Sequence, residues 1–417
     1  MTRPRKNSQK RHSLFRKKVY GASVLAFFLV ACFALLSAFN QDQDIRQFAQ
    51  TSDTNNPNCS EFSQSWGEWC VYTFTDSVAE PILTELSRVS SVSTWLRDGV
   101  RYLVVGGAND SQTADSQIAQ DQDAIFLFQS SDDFGLADWQ LVPGRGVANS
   151  LFDTTIETAD SANLPEMSDA DWSEGAFQVT QPSVVPVEML PELPDGGAHE
   201  CCDTIQYLYD YTGDQTQRST SIHQASILPW DVSQVRRAGE YGHRNPILSW
   251  KTYHDAGAEE VVAVRDGKVV FDERSQQFYM VHLEQHTDAS TQISLAQSAW
   301  PNLNFILSHR GILEDPQAAE PQIIVGPDSN YYLFYTRIGV QDEIWVAQSP
   351  SITGPYTDQR QVLQADIRGG ISSVATPFVF CNSQIDQWQM YFIGENDGAK
   401  QLYTAFLSQA CDQAPVL

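Results

Sequence analysis

One strand pattern recurs five times along the 417 residues of this chain. It reads Val100-Arg101-Tyr102-Leu103-Val104-Val105, Ile205-Gln206-Tyr207-Leu208-Tyr209, Phe278-Tyr279-Met280-Val281-His282, Tyr331-Tyr332-Leu333-Phe334-Tyr335 and Gln389-Met390-Tyr391-Phe392-Ile393. Each copy is followed by a second apolar run, at 125–130, 222–226, 293–298, 344–349 and 402–408, and the third and fourth of these both end in Ala-Gln-Ser. Turn formers such as Pro327-Asp328-Ser329-Asn330 and Glu395-Asn396-Asp397-Gly398 separate the runs, as a meander of antiparallel strands requires. A blade of four strands cannot bury both faces alone, so a blade-sized repeat implies radial packing against neighbours. The reading is an all-β, five-bladed β-propeller over residues 59–417, with two β-sandwiches as the alternative. Insertions at 150–175 and 191–197 lengthen the first two units.

The chain's start imposes a different constraint. Eight Lys or Arg and no acid lie in residues 1–18, and the next 21 residues, 19–39, are almost purely apolar. That length spans a hydrocarbon core as a helix, with the basic side held in the cytoplasm. The expectation is a basic leader at 1–18, a transmembrane or signal-anchor helix at 19–39, and a flexible polar stalk at 40–58, with the propeller on the periplasmic or exterior side. Leu29-Val30-Ala31-Cys32 also matches a lipoprotein processing box, which would tether the same domain through a lipidated Cys32.

Without the eight leader cations, 18 basic residues remain against 52 acidic ones, a net charge of −34. Such a surface excludes nucleic acid and anionic lipid as partners of the exported part. Six cysteines lie beyond residue 39, an even number in a compartment where disulfides persist. Cys59 and Cys70 are expected to close a small loop. Cys201, Cys202, Cys381 and Cys411 allow three pairings. His199-Glu200-Cys201-Cys202-Asp203 matches no common zinc spacing, so no metal or other cofactor is expected.

Aligning the repeats places Asp266, Glu320 and Thr376 at equivalent positions ahead of the aromatic strand, with Gln181-Pro182-Ser183 in the second unit. In a propeller these positions open the innermost strands and face the central cavity. Here the chain resembles a known group of enzymes. Arg265-Asp266-Gly267-Lys268 looks like the Arg-Asp-Pro segment of glycoside hydrolase families 32 and 68 and the Asp-Pro-Ser opening of family 43, with Gly267 in place of proline. Ala319-Glu320-Pro321 is similar to their fourth-blade segment. Ser351-Ile352-Thr353-Gly354-Pro355-Tyr356 and the stretch from Ser130 to Trp139 resemble their blade ends, so the likeness covers most of residues 85–410.

The resemblance implies a carbohydrate ligand, Glu320 as general acid, and Asp266 as the residue that holds sugar hydroxyls and raises the proton affinity of Glu320. Glycoside cleavage uses one protonated carboxyl beside the leaving oxygen and one ionised carboxylate as base or nucleophile. In these families the latter opens blade one. The corresponding stretch here, Ser90-Ser91-Val92-Ser93-Thr94-Trp95, has no acid, and Asp76, Glu80, Asp98 and Asp110 lie nearby in sequence. Arg265, Thr376, His243, Arg244 and His254 are the expected sugar-binding residues. For His243, Arg244 and His254 the plainer reading is a structured loop bonded to backbone carbonyls. Trp139, Trp230 and Trp300 recur at blade ends and are expected to pack between blades. Three functions compete: a furanosidase-type glycoside hydrolase, a non-catalytic carbohydrate-binding propeller that has lost the blade-one acid, and an envelope-assembly protein working through its outer face.

Overall fold

The computed structural model describes residues 63–66, 69–72, 79, 81–97, 99–108, 123–132, 135–144, 149–151, 178–185, 205–212, 220–228, 231–237, 247–299, 305–365, 370–407 and 409–415. The leader, the 19–39 segment with Cys32, and the stalk lie outside them. Among the described residues no helix is long and apolar enough to cross a membrane.

Strands dominate, in chain order and in five sheets. β1 (Ser63–Trp66) and β2 (Trp69–Tyr72) come first. The first sheet is then β3 (Arg88–Arg97), β4 (Val100–Ala108), β5 (Ala124–Ser130) and β6 (Gln140–Val142), and the second is β7 (Gln178–Val185), β8 (Ile205–Thr212), β9 (Thr220–Leu228) and β10 (Asp231–Arg237). A short helix, α1 (Trp250–Asp255), precedes the third sheet: β11 (Val261–Asp272), β12 (Gln277–His286), β13 (Thr291–Ser298) and β14 (Ile306–His309). The fourth is β15 (Ala318–Val325), β16 (Tyr331–Arg337), β17 (Glu343–Ser349) and β18 (Thr357–Leu363). These four sheets are regular four-stranded meanders. The last contains β19 (Ser373–Asn382), β20 (Gln387–Asn396) and β21 (Ala399–Phe406), and β2 and β1 extend it to five strands in the order β1-β2-β21-β20-β19. The inner-edge strands β3, β7, β11, β15 and β19 touch one another in cyclic order, β19 meeting β3, which makes the arrangement a closed propeller.

The aromatic runs found in the sequence are the second strands of the sheets, and their composition follows from burial on both faces. On β16, Tyr332 and Phe334 pack with Val374, Val379, Met390 and Phe392 of the last sheet. Tyr331, Leu333 and Tyr335 point the other way, into a cluster with Val281, Leu283 and Leu295 of the third sheet. β20 repeats this: Met390 and Phe392 face the fourth sheet, whereas Tyr391 and Ile393 face Leu103, Val105 and Phe126 of the first. Each such side chain, taken from water, contributes roughly 2–3 kcal/mol. A strand covered on both sides reads as a continuous apolar run, not an alternating one. Trp139 packs in the cluster between the first and last sheets, as expected for a blade-end tryptophan, while Trp230 and Trp300 lie outside the described residues.

The β11–β12 and β15–β16 hairpins are fixed by side-chain caps. The Asp272 carboxylate accepts from the backbone N–H groups of Arg274 (3.3 Å) and Ser275 (3.1 Å), and Gln276 adopts a left-handed φ of 55° before β12 begins. Asp328 likewise accepts from the Asn330 N–H at 3.2 Å and from the Tyr332 hydroxyl at 2.7 Å. The expected Pro327–Asn330 turn is therefore present, with Asp328 as its organiser.

Of the three pairings left open for the four downstream cysteines, the structure contains the Cys381–Cys411 disulfide. Cys70 is also disulfide-bonded. Cys59, Cys201 and Cys202 lie outside the described residues. Cys381–Cys411 clamps the tail beyond β21 to the inner strand of the same sheet across 30 residues of sequence. A loop of that length constrains the unfolded chain by about 3–4 kcal/mol. Replacing both cysteines with alanine is expected to cost about 2–4 kcal/mol in guanidinium unfolding, read as a lower midpoint with a somewhat steeper slope, since the unfolded chain loses its cross-link.

Candidate active site

Every inner strand carries at least one extra residue, and in four of the five sheets that irregularity shapes the site. In the third sheet Arg265 pairs with Leu283 and Lys268 with Val281, so Asp266 and Gly267 together oppose the single residue His282. Glu320-Pro321 opposes Tyr335 in the fourth sheet, Thr376-Pro377 opposes Phe392 in the last, and Gln181-Pro182 opposes Tyr209 in the second. The first residue of each pair is left-handed, with φ of 54° at Gln181, 59° at Asp266, 51° at Glu320 and 53° at Thr376. Non-glycine residues in that region cost roughly 1–2 kcal/mol each. A bulge re-aims its side chain, and the repeated polar-then-Pro or Gly pair turns one polar group per sheet toward the axis.

Consecutive bulges are hydrogen-bonded to one another. The Glu320 backbone N–H donates to the Asp266 carboxylate. The Thr376 N–H donates to Glu320 Oε2 at 2.8 Å, and the Thr336 hydroxyl donates to the same oxygen at 2.7 Å. Thr376 therefore contributes its main chain. One residue further on, Gln322 clasps Val379 of the last sheet through both its amide groups, at 2.6 and 3.0 Å, and Lys268 Nζ donates to the Pro377 carbonyl at 2.9 Å.

Gly267 departs from the proline of the other bulges for a steric reason. A Cβ there would sit 2.7 Å from Ile222 Cδ1 of the neighbouring sheet. His282, opposite this bulge, is fully buried, and burial pulls its pKa down to about 4, so it is neutral at physiological pH. Its Nδ1–H donates to the Met280 carbonyl at 3.2 Å, which leaves Nε2 to accept from the Tyr253 hydroxyl of α1. That bond seats α1 behind the bulge.

Burial is the main influence on Asp266. It is 6% exposed, and desolvation, opposed by Arg265 and Lys268 and reinforced by Glu320, pushes its pKa up to about 6. Lys268, 7% exposed, is pulled down to about 8 by the same burial, with Glu320 and Asp266 resisting. Asp266 holds a proton into the weakly acidic range, and Glu320 presents an oxygen held by two donors.

The first sheet differs. Its extra residue is Ser90, between the pairs Val89–Gly107 and Ser91–Gly106, and opposite Val105 the strand is regular, with Val92 buried in the core between sheets. Gly106 lets this region pack closely: a Cβ there would lie 2.4 Å from Ser91 Oγ and 3.2 Å from Pro182 Cδ of the second sheet. No acid occupies this stretch. Asp76, Glu80, Asp98 and Asp110 lie outside the described residues, as do His243 and Arg244. Arg265 Nε lies 3.9 Å from Asp266 Oδ2 with 41% of its side chain exposed, a weak ion pair. His254, on α1, directs Nε2 to the Val261 carbonyl at 3.0 Å.

A cavity of about 160 Å³ at this end is lined by Glu320, Thr376, Gln181 and Ser90 together with Asp342, Glu395 and Lys400. Sequence reasoning missed the last three. Asp342 stands at the β16–β17 hairpin, where it accepts from the Gly339 N–H at 3.1 Å, and Glu395 and Lys400 face each other across the β20–β21 hairpin. Hairpins between second and third strands emerge at the same end as the bulges, so the meander order was the signal that could have found them.

Two substitutions test this account. Gly267→Ala should destabilise by about 1–3 kcal/mol, and Ile222→Val, which removes the opposing Cδ1, should recover part of the loss in thermal melts. Folded Asp266 keeps a proton that the unfolded chain releases near its ordinary value of 3.8, so its contribution is complete below about pH 4 and is lost as pH rises through about 6. Asp266→Asn should therefore gain stability relative to wild type between about pH 4 and pH 7, by at most about 3 kcal/mol. A difference that is flat across this range would contradict the assignment.

No protein-family model and no curated protein matches the chain. Solved structures do. An alpha-L-arabinofuranosidase from Lactobacillus brevis superposes with a TM-score of 0.54 at 9% identity over 82% of this chain and 96% of its own. The alpha-L-arabinofuranosidase PaAbf62A from Podospora anserina gives 0.45 at 11% identity over 83% and 98%, and a fructofuranosidase from Schwanniomyces occidentalis gives 0.49 at 14% identity over 78% and 58%. The chain thus shares its β-propeller fold with the Lactobacillus brevis arabinofuranosidase.

Proposed function

We propose that this protein is a carbohydrate-active propeller of the glycoside hydrolase type, acting on furanosides or on polysaccharide-derived glycans, with the fifth sheet serving as the last of five blades. The observation that carries this reading is the pair Asp266 and Glu320, carboxyls on consecutive inner-strand bulges, joined by the Glu320 N–H and coupled electrostatically. Hydrolysis of a glycosidic bond needs a proton donor and an ionised carboxylate in one cavity. Glu320 serves as general acid. Asp266 holds sugar hydroxyls and sets the charge beside it. The absent blade-one acid leaves the ionised partner to be supplied by Asp342 or Glu395, which line the same cavity as Glu320. Arg265 lies at the Asp266 edge of the site, and Thr376 holds the Glu320 carboxylate through its N–H. The domain works outside the cytoplasm, tethered through residues 19–39.

The stretch from Ser90 to Trp95, which the family resemblance expects to carry an acid, has none, and this favours one second reading, a propeller that binds glycans without cleaving them. Assay of the full-length protein on aryl arabinofuranosides, aryl xylosides, sucrose and fructans separates the two. Turnover should drop by about a hundredfold or more in Glu320→Gln, and Asp266→Asn should impair it too. Loss in Asp342→Asn or Glu395→Gln identifies the ionised partner. Oligosaccharide binding without turnover in the wild type would replace the hydrolase reading with the binding one.

A further inference from the structure

We infer that the wide cavity at the channel end opposite the carboxylates is a second site, which binds an organic carboxylate through Lys268 at its inner end. The inference stands on the lining of this cavity and does not depend on the hydrolase reading.

The cavity measures about 860 Å³, and the inner strands of all five sheets contribute to it. None of its lining residues lines the cavity around Glu320. Its size is that of a small-molecule site, room for roughly a disaccharide. Phe271, Phe378, Phe380 and Trp95 supply apolar walls with flat ring faces.

Charge decides the ligand class. The exported part of the chain has 18 basic residues against 52 acidic ones. Yet three of those cations, Arg101, Lys268 and Arg274, line this cavity, against the two acids Asp272 and Glu273. Asp272 is already engaged by Ser275, by the Arg274 N–H and by the Tyr331 hydroxyl, and Glu273 is exposed. Arg274 is held by two neutral acceptors, the Pro350 carbonyl at 3.1 Å and the Ser329 carbonyl at 2.5 Å, and keeps its charge uncancelled by them. The lining thus carries three cations against two acids in a chain where acids dominate, and this local excess of positive charge favours an anionic ligand. Lys268 has three N–H donors, of which the Pro377 carbonyl takes one at 2.9 Å. Asp266 and Glu320 act on its ammonium through space. A carboxylate entering from the cavity can take the remaining donors, while a ring-shaped body rests against the aromatic walls. A uronic acid and an aromatic acid both offer that chemistry.

Calorimetric titration of the full-length protein with galacturonate, galactose and benzoate tests the inference. Wild type should bind galacturonate at least about tenfold more tightly than galactose, and Lys268→Met should weaken it by about tenfold to a hundredfold, the worth of a charge-assisted hydrogen bond. Galacturonate binding by a wild-type protein that cleaves no glycoside would sink the hydrolase reading alone. A tighter fit for galacturonate than for benzoate identifies the ligand as an acidic sugar; the reverse order identifies an aromatic acid. Equal or absent binding of acid and neutral sugar by wild type overturns the site, whether or not the lysine variant folds. So does acid affinity that survives Lys268→Met with a native melting curve.

Discussion

A four-stranded sheet with apolar side chains on both faces has no stable existence by itself. Tyr331 and Tyr332 are neighbours on one strand, point in opposite directions, and are both buried, because a sheet stands on either side. Once each sheet must be sandwiched by two others, a closed ring is the arrangement that leaves none uncovered. The ring fixes the inner strands around an axis, and the axis is where polar groups can gather without interrupting the core.

The bulges reconcile that axis with the sheets. A regular inner strand would turn alternate side chains into the cores between blades, as Val92 does. One extra residue opposite His282, Tyr335 or Phe392 breaks the alternation locally and frees Asp266, Glu320 or Thr376 from it. The left-handed backbone at each position is the cost, and the hydrogen bonds from one bulge to the next offset it. Polar contacts between blades continue below them, with Gln322 clasping Val379 and Lys268 reaching Pro377. The electrostatics of the channel, a carboxyl raised toward neutrality beside a lysine lowered toward it, follows from packing these groups away from water.

Much of this was legible in the sequence because repetition is visible without knowing any contact. The five aromatic strands, the Asp328 turn and the equivalence of Asp266, Glu320 and Thr376 all emerge from aligning the chain with itself. The role of Thr376 did not, because it acts through its N–H, which every residue but proline possesses. Gly267 stands in the sequence only as a glycine in place of proline, and its close packing against Ile222 of another sheet appears only in the fold. Asp342, Glu395 and Lys400 sit in hairpins whose sequences say turn and nothing more. Their place at the site is a property of the ring. The pairing of Cys381 with Cys411 was likewise one of three arithmetic possibilities until the tail was seen to return to β19.

The closure of the ring also has a temporal side. The last sheet joins β2, from the beginning of the domain, to β21, from its end, with Cys70 opposite Phe406. A chain made from its N-terminus must keep β2 without its partner while the four intervening sheets are synthesised. Contacts so distant in sequence make folding slow, since a long loop must close before they form. The edge that β2 presents in the meantime is an open template for other strands. The same joint that makes the finished ring seamless therefore makes its assembly all-or-none at the final step, and places the greatest exposure to misassembly just before completion.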